Sequence, residues 1–150
     1  MIRDAHMKPE PILVITSLIF AVPSYIAFKQ NKIYDCLTCL SLMCTSIGFH
    51  KLRTQTLFIV DFIAVCHFSV RIWYLSHLME MYLVYYISVF YSVISFYVGH
   101  KYKIMSYDPN WNIQMFYHAL IHFLTAYSYY IVLTPCVSCA LSSPGEILNT

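Results

Sequence analysis

Between Ile12 and Leu133 the chain runs in apolar stretches parted by short polar turns, and that pattern leaves few folds open. Charged residues make up 11% of the 150 residues and hydrophobic ones 59%, where a soluble domain carries roughly 25% charged residues. Crossing ~30 Å of hydrocarbon takes about 20 helical residues, the length of these stretches. The expected fold class is therefore all-α, a single polytopic transmembrane bundle over residues 1–150. Five spans are expected, at about 12–28, 34–50, 56–75, 79–98 and 113–133. A secretory signal peptide is the rival reading of the first. Pro23 is expected to kink it, which neighbouring helices can absorb. His100 to Asn112 is expected to form the longest loop. Aromatics at 17%, with 14 Tyr, suit interfacial belts and polar-tipped packing. A net charge of +2 is too small to imply nucleic acid. Six Cys in so apolar a chain do not make a secreted disulfide framework.

Within the last span stands Phe116-Tyr-His-Ala-Leu-Ile-His-Phe-Leu-Thr-Ala126. His118 and His122 are four apart, so on a helix both imidazoles share one face. Five spans also order the chain by depth. The end of the second, the start of the third and the start of the fifth fall in one leaflet, together with the N-terminus. Those places hold Ser46 and His50, then Asp61, then His118 and His122. Polar residues that look misplaced singly thus share a depth, and intramembrane ionisable residues mark functional sites.

Three imidazoles leave one position of a tetrahedral zinc ion open, the catalytic pattern; structural zinc is closed with four ligands. Asp61 can orient a ligand or act as general base. Ser46, one turn before His50, can hold a carbonyl or stabilise an oxyanion.

Ser46-x-x-x-His50, then Asp61, then His118-x-x-x-His122 resembles the CREST membrane hydrolases. These include the alkaline ceramidases, the GPI-remodelling acyl hydrolases and the adiponectin/progestin receptors. The eleven-residue step from His50 to Asp61 is similar to the first two branches, as are Ala119 and Thr125 in the last-helix motif. The resemblance implies a Zn2+ site of His50, His118 and His122, with Asp61 and Ser46 as catalytic support. It implies hydrolysis of a lipid amide or ester, with a sphingolipid, phospholipid or GPI lipid as partner. The family core has seven helices where five fit here. The acidic, Trp-containing calcium motif of the alkaline ceramidases has no counterpart, so no calcium is expected.

Each residue has a plainer reading beside this one. His118 and His122 can be packing histidines bonded to Tyr or backbone groups. His50 can sit at an interface with Lys51 and Arg53. Asp61 can serve the third helix as an acid in its first turn. Ser46 can back-bond to its own helix, and Arg71 can snorkel. His100 is the one spare ligand. Cys36, Cys39, Cys136 and Cys139 share one side, where they are either small apolar residues or a disulfide. Two other functions stay open: a catalytically inactive zinc protein with a structural or sensing role, and a metal-free membrane scaffold. A homo-oligomer also stays open.

Arg3, Lys8, Lys51, Arg53, Lys101 and Lys103 fall on the N-terminal side, and Lys29, Lys32 and Arg71 on the other. The positive-inside rule then places the N-terminus and the site on the cytosolic face, with an endomembrane as the expected location. A terminal reporter or cysteine accessibility labelling should find the N-terminus cytosolic; a lumenal or external N-terminus refutes this orientation.

Overall fold

The computed structural model describes residues 10–134, and every element among them is helical. The expectations for Arg3, Lys8, Pro135, Cys136 and Cys139 lie outside the described residues. Five long helices follow one another: α1 (Pro11–Lys29), α2 (Ile33–Leu52), α3 (Gln55–Leu78), α4 (Tyr82–Tyr102) and α5 (Trp111–Leu133). α1 opens with Pro11, whose fixed φ and missing N–H suit a first helical turn. A 3-10 turn, Leu18–Phe20, interrupts α1 just ahead of Pro23. A proline supplies no N–H for the carbonyl four residues back, so the backbone tightens there. Thr54 caps α3 by accepting from the Leu57 N–H at 3.3 Å, and Asn110 caps α5 by accepting from Asn112 at 3.0 Å. Asp61 therefore sits two turns inside α3 and does not cap it.

The stretch expected as one long loop is partly ordered differently. α4 continues through His100 to Tyr102 by way of a π-helical segment, Ile94–Val98, and a 3-10 turn, Met105–Tyr107, follows. The turn folds back onto Gly99, where an added Cβ would come within 2.8 Å of the Ile104 carbonyl oxygen. Only glycine permits that approach.

α1, α3 and α4 are long and apolar enough to cross a membrane. Only 11% of the α3 window is buried, and Phe62, Ile63 and Val70 face outward. Apolar surface of that extent calls for apolar surroundings. α2 and α5 are equally long but more polar, because they line the interior. In α2 the buried positions Asp35, Cys39, Leu42, Ser46 and His50 recur every three or four residues, one stripe down the helix. α1 packs on both α2 and α5, α2 packs on α3, and α4 packs on α3 and α5. Phe20, Phe68 and Tyr129 fill the middle, with ring centroids 5.5 and 4.7 Å apart in successive pairs.

That middle separates two polar ends. At one, Asp35 is buried and takes Arg71 in a fork: Nε donates to Oδ1 at 2.6 Å and Nη2 to Oδ2 at 3.1 Å. The Tyr129 hydroxyl donates to Oδ1 at 2.7 Å. Arg71 therefore turns inward to a carboxylate and stacks over Tyr34, where snorkelling was the expectation. Cys36, Cys39, Cys44 and Cys66 are free thiols.

Arg71→Ala would leave the Asp35 charge buried and unpaired, and breaking such a pair costs about 3–5 kcal/mol. The Arg71→Met/Asp35→Asn double variant removes both charges and should recover part of that loss. Denaturant titration in detergent micelles measures both, and equal stability of wild type and Arg71→Ala would refute the clamp.

Candidate metal site

At the opposite end, His50 on α2 meets His118 and His122 on α5. One ring nitrogen from each falls within 4.8 Å of the other two. Ring centroids are 5.0 Å apart for His50 and His118, 5.4 Å for His50 and His122, and 5.2 Å for His118 and His122. A near-equilateral triangle of imidazoles is thus already assembled. A tetrahedral ion with ligand bonds of about 2.0–2.1 Å wants nitrogens roughly 3.4 Å apart, within reach of small ring rotations. His50 is 1% exposed and His122 7%, while His118 is half-buried. The Phe96 ring, from the π-helical segment of α4, lies 5.6 Å from His118. Such segments recur beside functional sites because they re-aim a side chain that an α-helical register would point elsewhere.

Local sequence explains how three rings converge. The four-residue step stacks His118 over His122 on one face of α5. His50 ends the buried stripe of α2, where a tight turn follows. Arg53 closes that helix with φ 54° and ψ 34°. The left-handed region costs an L-residue roughly 1–2 kcal/mol. Here it turns the Arg53 guanidinium back, over the Phe49 ring at 4.9 Å and onto Glu10.

The two other expected site residues are held by partners outside the triangle. Asp61 accepts from the Thr45 hydroxyl at 2.9 Å, which ties α3 to the helix that carries His50. It contributes no atom to the three-nitrogen group. Ser46 is buried and meets Ser17 of α1, Oγ to Oγ, at 2.9 Å. Ser17 spends its own proton on the Leu13 carbonyl at 2.7 Å, so Ser46 donates to Ser17. In this arrangement Ser46 offers the site a lone pair, and serving as an oxyanion donor requires release of the Ser17 bond. His100 is turned to the Tyr107 ring, 5.2 Å away, and is not a ligand.

Sequence reasoning passed over Glu10, Thr16 and Ser17. Glu10 is buried and its carboxylate meets His50 Nδ1 at 2.8 Å. The Thr16 hydroxyl meets His122 Nδ1 at 3.0 Å. Glu10 precedes the first apolar stretch, among charged residues that give no sign of a partner 40 positions away. Thr16 and Ser17 carried no signal, since hydroxyls in apolar helices commonly bond to their own backbone.

No protein-family model, curated protein or solved structure matches this chain.

The three nitrogens form a donor set for a borderline divalent ion, with no thiol or carboxylate among them. A ligand bound only by the folded state at about 100 times its Kd adds about 2.7 kcal/mol. Added Zn2+ or Co2+ should therefore raise the unfolding midpoint of the wild type and leave His118→Ala unmoved. Imidazole binds metal only when neutral, so the gain is present at neutral pH and lost as pH falls. Identical midpoints with and without metal would remove the site.

Proposed function

We propose that this chain is a zinc-dependent intramembrane hydrolase of a lipid amide or ester, a shortened relative of the CREST membrane hydrolases. The observation that carries the reading is the triangle of His50, His118 and His122, drawn from two helices within a bundle whose exterior is apolar. In this reading all five long helices cross the membrane. α2 and α5 are admitted despite their polarity because their polar faces are turned inward. The N-terminus and the site lie at the cytosolic face.

The donor set fits zinc: three neutral imidazoles leave one position open, as in catalytic sites. A zinc ion held there supplies Lewis acidity at neutral pH. Asp61, fixed by Thr45, is the proposed proton acceptor for the attacking water. Ser46 orients that water through its lone pair, or the substrate carbonyl once its bond to Ser17 is released. His118 marks the approach, since the other two rings are enclosed. An apolar groove of about 220 Å³ runs between α1 and α5, lined by Ile19, Val22, Phe123, Ala126 and Tyr127. Phe123 and Ala126 follow His122 within about one turn. In this reading the substrate is a sphingolipid, phospholipid or GPI lipid whose acyl chain lies in that groove.

A zinc site without catalysis is the second reading, favoured by the near-complete enclosure of His50 and His122. Turnover separates the two. Purified wild type should carry one zinc per chain and cleave a ceramide, a phospholipid or a GPI-type acyl ester in mixed micelles. Asp61→Asn should keep the zinc and lose turnover. Ser46→Ala should retain zinc and fall by roughly 10²-fold, the scale for one lost polar contact to a reacting group. Zinc-loaded protein inert toward all three lipids would overturn the hydrolase and leave the metal site standing.

A further inference from the structure

Glu10 precedes the first turn of α1, where an acidic side chain ordinarily caps its own helix. It makes no such bond. The backbone N–H of Glu10 donates to the His50 carbonyl at 3.0 Å, joining the start of α1 to the end of α2. Its carboxylate, 7% exposed, is spent on the His50 imidazole and the Arg53 guanidinium. Both groups meet the same oxygen, Oε2.

The proton positions follow from what each group can do. A carboxylate paired to a guanidinium only accepts hydrogen bonds, so His50 must donate to it from Nδ1. A neutral imidazole carries one N–H. Its proton is then on Nδ1, and Nε2 presents a lone pair. The Thr16 hydroxyl lies 3.3 Å from the Leu13 carbonyl and 3.0 Å from His122 Nδ1; with its single proton on the carbonyl, the oxygen accepts and His122 donates from Nδ1 as well. Glu10 and Thr16 lie nearly two turns apart on α1, and each holds one ring. His118 has no side-chain hydrogen bond among the described residues and is braced by the Phe96 ring.

We propose that α1 is the positioning element of the metal site: Glu10 and Thr16 fix the proton of His50 and His122 on Nδ1 and turn both Nε2 lone pairs to one ion. The inference rests on the metal-site reading above, but the tautomers themselves exist without metal. Outer partners of this kind are worth 10–100-fold in metal affinity. Glu10→Gln keeps an oxygen where both groups meet and should leave the His50 proton on Nδ1, whereas Glu10→Ala removes that acceptor and frees the proton to sit on Nε2, the wrong nitrogen for the ion.

The test uses full-length protein in micelles, with 15N NMR of the histidine rings without metal and competition titration with Zn2+. Wild type should show His50 and His122 protonated on Nδ1. Glu10→Ala should release the His50 proton from Nδ1 and weaken zinc binding by about 10–100-fold. Thr16→Val should weaken zinc binding on the same scale, and Thr16→Ser, which keeps the hydroxyl, should restore it. Should Glu10→Ala fail to fold, the Thr16 pair carries the test alone. Wild-type rings protonated on Nε2, or zinc affinity unchanged in both Glu10→Ala and Thr16→Val, overturns the proposal. Wild type that binds no zinc refutes the metal-site reading instead, and the spectrum still decides the tautomers.

Discussion

A polar group inside an apolar-walled bundle has no water to fall back on, and the arrangement of this protein follows from that constraint. Its interior is the polar part and its exterior the apolar part. Asp35, Ser46, His50 and His122 are buried, while Phe62, Ile63, Val70 and Phe123 are exposed. Each of these interior groups is answered by another helix: Arg71 and Tyr129 for Asp35, Ser17 for Ser46, Glu10 for His50, Thr16 for His122. The hydroxyls of Ser76 and Tyr91 are buried with no partner among the described residues. Pairing across helices therefore supplies direction, where apolar contact by itself would let the helices slide or turn.

The two polar ends use this constraint differently. At the Asp35 end the charges close on each other, acid to guanidinium to phenol. At the histidine end Glu10 and Thr16 each engage one Nδ1, and one nitrogen from each of the three rings lies within 4.8 Å of the other two. A bundle needs only the first kind of arrangement to hold together. The second brings three imidazole nitrogens within 4.8 Å of one another, and that asymmetry is the physical ground for reading one end as a clamp and the other as a site.

The long helices were legible from hydropathy because apolar stretches near membrane length admit little else. The convergence of His50, His118 and His122 was legible from depth, since alternating spans return the same leaflet every second crossing. The exact roles of single polar residues were less so. Arg71 looked like a snorkelling side chain because its own helix holds no acid near it; its partner is 36 residues earlier. The His100 stretch looked like loop because polar residues cluster there, yet a π-helical segment carries the helix through it.

What the chain determined by itself was composition and period: which stretches become helices, which face of α2 is polar, and that His118 and His122 share a side. These are local properties, set within one or two helical turns. What only the tertiary structure decided was pairing. That Glu10 answers His50, that Thr16 answers His122 and that Thr45 answers Asp61 depends on which helices are neighbours and how each is rotated. Helix rotation is fixed by packing over the whole bundle, so residues 16 to 106 positions apart can hold one another without leaving a mark on the sequence around either.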